Sequence, residues 1–373
     1  MSIIDLASIH AATLHDALQR ANRVAPTKGN GYDKAQGIHL TFSVDHCEVR
    51  ATDTEVTFWQ RIPAKLTDPF ADPIEMRLPS QMFVAFVASL PMAGEQEVRF
   101  RMDDNAPKQI ILKFANTKLQ AKMNQVVGTY PTFGPRDVSG MVPAQELASR
   151  LEQVAWATGD SGVLQGVFVD GEQIMAMDSR RAARVPCVIP VDAPVVGMLA
   201  TLVPLIKLGT DIRIMVEDSK IYLALDESCQ VTSTVIMQPY PNAIARLAVL
   251  PLDDGFTMSR TRLIEALNRL LIGVRNDRVP RASLTVTKGA LDMALIATGA
   301  GEFEDSAAIT NDAEEHEDRK FIFNPNTLIE ALSSLGGGNV KVKYGTNRQP
   351  WHLVGSDGYE SWVMGIDPSV AEE

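Results

Sequence analysis

Little in this sequence invites covalent or redox chemistry. Its 373 residues include three cysteines, Cys47, Cys187 and Cys229, which lie far apart with no paired spacing to suggest a disulfide framework or a zinc site. That scarcity fits a reducing cytoplasm. Aromatic residues make up 6% of the chain, so its 45% hydrophobic content comes mainly from Val, Ile, Leu, Ala and 15 Met. The longest apolar stretch, Ala193–Ile206, is too short to span a bilayer and contains Pro194 and Pro204, so no membrane partner is expected. The first residues, MSIIDLASIH, lack the basic start and apolar run of a secretory leader, which again favours the cytoplasm. With 22% charged residues the composition is that of a globular protein, and the length favours two or three domains. The formal net charge of −11 argues at first sight against nucleic acid as a partner.

Internal repetition organises the chain. A helical run, a Leu-Pro or Leu-Gly stop and two alternating strands occur in FVAFVASLPMAGEQEVRFRM (83–102), followed by QIILKF and KLQAKM. The pattern recurs in LATLVPLIKLGTDIRIMVEDSKIYLAL (199–225) and in TLIEALSSLGGGNVKVKYGTNRQPWHLVG (327–355). The helical parts carry apolar residues at helical spacing, such as Leu328, Ala331, Leu332 and Leu335. The strands alternate, as in Val98, Phe100, Met102 and Val340, Val342, Tyr344.

A second unit precedes each of these. Amphipathic helices are predicted over 9–24, 144–158 and 260–272, each followed by a strand pair. Asp53 in ATDTE and Asp178 in AMDSR hold equivalent places, and Thr129-Tyr130-Pro131 matches Pro239-Tyr240-Pro241. Helix, strands, helix, strands, repeated three times at a period far longer than a solenoid's, predicts three tandem α+β domains. Their expected limits are 1–137, 138–251 and 252–373, with linkers at 131–140 and 245–255, and the acidic segment 310–320 is expected to be a solvated loop.

Charge is sorted along this plan. The three segments carry net charges of 0, −4 and −7. Arg20, Arg23, Lys28 and Lys34 nevertheless cluster at the end of the first helix, and six arginines between Arg260 and Arg281 face two acids, whereas residues 302–318 hold eight carboxylates and no Lys or Arg. Clustered cations attract phosphate whatever the sign of the whole chain, though a basic helix surface is also an ordinary soluble one. No aromatic interleaving suggests stacking on single-stranded bases.

Catalytic patterns do not assemble. Gly159-Asp160-Ser161-Gly162 looks like a serine-protease nucleophile loop, with Asp45-His46 upstream, but Val163-Leu164 follows it where Gly-Pro is needed, and a Gly-rich helix stop accounts for it equally. His10 and His15 are five apart, not the four that a helical metal pair needs. Gly336-Gly337-Gly338 follows a helix instead of preceding one, so it is a turn and not a phosphate cradle. No enzyme, metal or cofactor is expected.

The three-copy plan resembles the bacterial DNA sliding clamp, the β subunit family of DNA polymerase III. The likeness is carried by ATDTEVTFWQRI (51–62), LQGVFVDGEQIMAMDSRRAARVPC (164–187), the TYPTF and PYPNA turns, FNPNTLIEALSSLGGGNVKVKY (321–344) and SWVMGI (361–366). It implies three clamp domains per chain, closing as a head-to-tail homodimer ring around duplex DNA. Such a ring holds DNA without reading its sequence, is opened by a clamp loader, and tethers the replicative polymerase. The cations matching the ring's lining are Arg20, Arg23, Lys28, Arg150, Arg269, Arg275 and Arg278. Tyrosines that some members carry before Leu164 are replaced here by Gly162-Val163.

The family's partner groove maps to Leu164, Met177, Asp178, Ser179, Arg180, Arg181, Ala182, Pro241, Val363, Met364 and Ile366. Ser179-Arg180 stands where the family has Gly-His, Ala182 where it has Leu, and seven residues follow Ile366. Such departures fit a groove tuned to a different partner set, as in a phage-encoded clamp. The resemblance assigns the dimer contact to Ile110 and Leu112 on one side and to Leu271 and Ile272 on the other, although the latter two also fit a helix core. Two other readings stay open: a protein of this fold that does not encircle DNA, and a serine hydrolase using Ser161.

Overall fold

Alternation of side chains decides which residues face inward. In Glu97–Asp103, Val98 and Phe100 are buried while Glu97, Arg99 and Arg101 are only partly covered, as the two-residue period of a strand requires. In Ala106–Phe114, Ile110, Ile111 and Leu112 are all buried, so both faces of that strand are covered there. The computed structural model describes residues 3–25, 36–68, 72–92, 94, 96–114, 117–252, 254–272, 280–295, 303–312 and 317–367. Among them are seven α-helices: α1 (Ala11–Ala21), α2 (Ser80–Ala88), α3 (Ala144–Ala155), α4 (Leu199–Ile206), α5 (Ala243–Ala248), α6 (Arg260–Leu271) and α7 (Pro325–Ser334). The chain divides into two compact units, one of residues 1–144 and 204–235, the other of residues 145–203 and 236–373.

Unit one contains two antiparallel sheets. The smaller runs in the order Lys65–Leu66, Ile3–His10, Glu97–Asp103, Ala106–Phe114, Gln120–Asn124. The larger has eight strands in the order Gly140–Pro143, Asp211–Glu217, Lys220–Ala224, Cys229–Thr234, Val56–Pro63, His46–Thr52, Ile38–Phe42, Ile74–Leu78. Its middle joint pairs Cys229 with Gln60 and Ser233 with Val56, so strands from the first and second copies form one continuous sheet. Helix α1 buries Ala11, Leu14, Ala17, Leu18 and Ala21 and lies against α2 and the strands Val56–Pro63 and His46–Thr52.

Unit two repeats the arrangement. Its larger sheet runs Val195–Gly197, Val167–Val169, Gln173–Met177, Arg181–Pro186, Glu360–Val363, Trp351–Val354, Asn339–Tyr344, Asp254–Ser259, Thr310–Asn311. Here strands of the second and third copies meet, Arg181 opposite Val363 and Arg184 opposite Glu360. Its four-stranded sheet runs Glu304–Ala308, Ala290–Leu295, Ala282–Thr287, Arg319–Phe323. Helix α6 starts at Ser259, whose hydroxyl accepts from the Arg262 amide, and α7 at Asn324, which accepts from the Asn326 amide with Pro325 in the first turn. The two helices pack on each other, and Arg260 donates to the carbonyl of Leu335 just past α7 (2.5 Å). Phe256, Phe321, Phe323, Tyr344 and Trp351 form a buried aromatic cluster with ring centroids 4.7 to 6.3 Å apart.

The predicted helices over 9–24, 144–158 and 260–272 form as the shorter α1, α3 and α6. Two expectations are corrected. The segment 245–255, read as a linker, begins inside α5 and ends in the strand Asp254–Ser259. The segment 310–320, read as a loop, starts with Thr310–Asn311, which pairs with that same strand, and runs into the strand Arg319–Phe323.

Candidate functional site

Strand Gln173–Met177 ends at Asp178, whose Oδ1 accepts from the amides of Arg180 (2.7 Å) and Arg181 (2.9 Å), while Oδ2 accepts from Arg181 Nε (3.0 Å). A short side-chain acceptor folding the backbone over itself is what makes Asp a turn former. The equivalent Asp53 does the same, accepting from Glu55 (3.0 Å) and Val56 (2.7 Å). In unit two this turn sets Ser179 and Arg180 out into solvent. The Met364 amide donates to the Arg180 carbonyl (2.8 Å) and the Ile366 amide to the Ile322 carbonyl (2.7 Å), which fixes the segment after the last strand beside the turn.

Cross-strand pairing then aligns Met177, Ala182, Trp362 and His352 in one row. Met177, Ala182, Ile244 and Trp362 form a buried apolar cluster, with Leu164, Met175, Tyr240, Ala243 and Leu247 packed against it. Ile244 and Leu247 come from α5, which follows directly on the Pro239-Tyr240-Pro241 turn. The result is a cavity of about 280 Å³. Its lining is Met177, Asp178, Ser179, Arg180, Arg181 and Ala182 from the turn and its strands, Ala243, Arg246, Leu247 and Leu250 from α5 and its end, and Trp362 and Met364. A shallow apolar trough with a charged rim suits apolar side chains of a short extended or helical segment.

Beside the floor, on the same face of the sheet, lies a charged network. Trp362 stacks on His352 (centroids 4.6 Å, planes 9° apart) with the Arg184 guanidinium 5.5 Å from its ring. Glu360 lies 3.0 Å from His352 Nε2 and accepts from Arg184 Nη2 at 2.9 Å. The hydrogen bond with His352, aided by Arg184 and against the effect of burial, holds the Glu360 carboxyl below the usual carboxylate range. Beside the trough, Tyr240 packs on Phe168 at 5.1 Å, and a second cavity of about 330 Å³ includes Pro241.

Of the eleven residues the resemblance assigned to a groove, Met177, Asp178, Ser179, Arg180, Arg181, Ala182 and Met364 line the first cavity. Leu164 packs on its floor cluster and Pro241 lines the second cavity. Val363 is buried, and Ile366 is placed by its backbone bond to Ile322. The α5 wall was missed, though Ala243, Ile244, Leu247 and Leu250 recur at helical spacing.

The helix cations are distributed differently. Lys28, Arg275 and Arg278 lie outside the described residues. Arg23 is exposed on the turn after α1, and among the described residues no side-chain partner for it is found. Arg20 reaches the buried Cys229, whose thiol burial pushes up to about 12. Arg150 is committed to Asp357 (3.0 Å) and Gln153 (3.0 Å), and Arg269 to Asp305 through two hydrogen bonds.

The expected dimer residues also separate. Ile110 and Leu112 are buried in a strand paired on both sides, and the outer strand of that sheet is Gln120–Asn124, with Lys122 exposed. Their side chains are therefore core and not contact surface. Leu271 is half-buried and Ile272 exposed at the end of α6.

Ser161 is exposed in unit two ahead of a short 3-10 turn at Gly162–Gln165. The described histidine of that unit, His352, is engaged with Glu360, and His46 in unit one bonds Asp45 at 2.7 Å. Among the described residues no group of three His, Cys, Asp or Glu could hold a metal ion. No described helix is long and apolar enough to cross a membrane.

No family model and no curated protein matches the sequence. Solved structures do match in fold. The β sliding clamp of Caulobacter crescentus aligns over 98% of this chain and 99% of its own, with a TM-score of 0.85 and 17% identity. The DNA polymerase III subunit β of Pseudomonas aeruginosa aligns over 96% and 99%, with a TM-score of 0.81 and 18% identity. A sliding clamp from the same organism, solved bound to griselimycin, aligns over 97% and 100%, with a TM-score of 0.79 and 18% identity. Along almost its whole length, this chain has the fold of the bacterial DNA sliding clamps.

Proposed function

We propose that this protein is a DNA sliding clamp, a non-enzymatic processivity factor that encircles duplex DNA and tethers a replicative polymerase through the apolar trough of unit two. The observation that carries the proposal is the trough itself, on a chain that has the clamp fold along almost its whole length: an apolar floor of Met177, Ala182, Leu247 and Trp362 at the place where the sequence resemblance puts a partner groove. The chain is divided into domains 1–137, 138–251 and 252–373, and two chains close head to tail, opened and shut by a clamp loader in the cytoplasm.

For the ring contact, the outer strands of the two smaller sheets are the supporting features. Gln120–Asn124 is preceded by exposed Lys118 and carries Lys122, and Glu304–Ala308 begins with exposed Glu304. Unpaired sheet edges of opposite charge favour pairing between copies. Exposed Ile272 at the end of α6 adds apolar surface. Inside the ring Arg23 and the exposed Arg262 supply weak phosphate contacts, while Arg150 and Arg269 are neutralised by Asp357 and Asp305. Encirclement does not require tight contacts, and tight ones would slow sliding.

Retention on DNA tests this. After loading onto nicked circular plasmid, the protein should co-elute with DNA in high salt and be lost when the plasmid is linearised. Equal retention on both forms, or on neither, would overturn encirclement and leave a clamp-fold protein that binds partners without a ring.

A further inference from the structure

The trough's charge, on the reading that it takes a peptide, indicates which peptide. Its charged lining consists of Asp178, Arg180, Arg181 and Arg246. Two of these are already spent within the chain. Asp178 accepts from the amides of Arg180 and Arg181 and from the Arg181 side chain. Arg181 is shared between Asp178 and Glu330 on α7 (2.6 Å) and lies over the Trp156 ring at 5.6 Å. Arg180, on the turn, and Arg246, on α5, are both exposed, and among the described residues neither side chain has an ion-pair or hydrogen-bond partner.

Two unneutralised guanidinium groups, reaching the cavity from different elements, thus border an apolar floor in a chain of net charge −11. The Arg180 backbone is pinned on both sides, its amide on Asp178 and its carbonyl on Met364, which fixes where on the rim its side chain starts. A wholly apolar peptide seated here would strip water from both groups without replacing it, which costs free energy. A peptide with carboxylates beside its apolar anchors meets them with charge-assisted bonds, and a basic one is repelled. Arg180 is also a point where this chain departs from the family pattern, with Ser179-Arg180 in place of Gly-His.

We propose that the trough selects partner peptides in which acidic residues directly flank apolar anchors, with Arg180 and Arg246 as the selecting groups. The full chain would be titrated, by fluorescence anisotropy, into three labelled peptides that share a Leu-Leu-Phe anchor flanked by aspartates, asparagines or lysines. The aspartate peptide should bind about fivefold tighter per carboxylate than the asparagine peptide, and the lysine peptide weakest of all. Raising salt should erase the difference. Arg180→Glu with Arg246→Glu should reverse the order, and Leu250→Asn, which removes part of the apolar wall, should weaken all three. If the three peptides bind equally and all weaken in Leu250→Asn, the acidic selection is wrong and the peptide groove stands. If none of them binds, both fall together.

Discussion

In unit two the row Met177, Ala182, Trp362, His352 crosses four strands beneath α5. The corresponding row in unit one, reached from the equivalent Asp53 turn, is Thr52, Thr57, Thr232, Tyr222. The next rows outward differ as well: Val196, Phe168, Met175, Arg184 in unit two, and Arg77, His39, Arg50, Trp59 in unit one. Both units then lay a Tyr-Pro turn on the sheet. Tyr240 packs on Phe168, and Tyr130 stacks on His39 at 5.0 Å with Arg77 over its ring. After Tyr240-Pro241 the chain coils into α5, but after Tyr130-Pro131 it runs on without regular structure to Gly140. There Gly134 and Pro135 oppose a helix, and Arg136 is fixed by two bonds with Gln230, both 2.9 Å. One topology thus carries an apolar trough in one unit and a polar, strapped-down face in the other. An apolar trough needs both the apolar row and the helix that walls it, and unit one lacks both.

The most disruptive test of this contrast removes the floor. Trp362→Ala should cost about 3–5 kcal/mol in urea unfolding, as for other buried large-to-small changes, and abolish peptide binding. Thr232→Ala, at the corresponding place in unit one, should cost about 1 kcal/mol or less and leave binding intact. Comparable losses of stability and binding from the two changes would mean that the apolar row does not set the two units apart.

Glu360→Gln comes next. It leaves His352 and Arg184 without their shared carboxylate beside Trp362, and about 1–3 kcal/mol should be lost. The pH dependence has a fixed sign. A carboxyl held below its unfolded value contributes stability that is present above the unfolded pKa, near 4.5, and disappears as pH falls through the folded value. The wild type should therefore lose more stability than Glu360→Gln on acidification below about pH 4.5. Thermal melts across that range would show it, and parallel curves would contradict it.

The two aspartate turns separate stability from function. Asp53→Ala and Asp178→Ala each remove a side-chain acceptor from two backbone amides, and each should cost about 1 kcal/mol. Only Asp178→Ala also releases Arg181 and unfastens the rim of the trough, so only it should weaken peptide binding. Equal binding by both variants would detach the turn from the site.

Much of this was legible in the sequence because the repeats advertise themselves. ATD and AMD mark the same turn, TYP and PYP the same crossing of the sheet, and the alternating strands emerged where the two-residue period placed them. What was hidden depended on distance along the chain. Arg150 reads as a surface cation until Asp357, 207 residues away, is found bonded to it, and Arg269 until Asp305 is, 36 residues away. Ile110 and Leu112 alternate correctly for a strand, but alternation does not say that Gln120–Asn124 takes the outer edge. Helix α5 is six residues long and flanked by prolines and small residues, so its apolar spacing was too brief to stand out against a linker.

The smallest expected effect bears directly on why unit one keeps a histidine where unit two has Phe168. His39 is buried, its Nδ1 has no hydrogen-bond partner among the described residues, and its Nε2 lies 3.7 Å from Glu75. Burial lowers its pKa, with Arg50 and Arg77 acting the same way and Glu75 opposing them. Below the unfolded value of about 6.5 the unfolded chain therefore takes up more protons than the folded one, and stability falls as pH falls. In His39→Phe the stack on Tyr130 is kept, as Phe168 keeps its contact with Tyr240, while the unpartnered nitrogen and the proton uptake are removed. The variant should be about 0.5–1 kcal/mol more stable near neutral pH, and its advantage should widen as pH is lowered toward about 5.5. Phe168→His, the reverse exchange in unit two, should introduce that acid sensitivity where it was missing. If the gap between wild type and His39→Phe stays constant across this range, His39 does not carry the pH dependence, and the difference between the two faces is one of shape rather than charge.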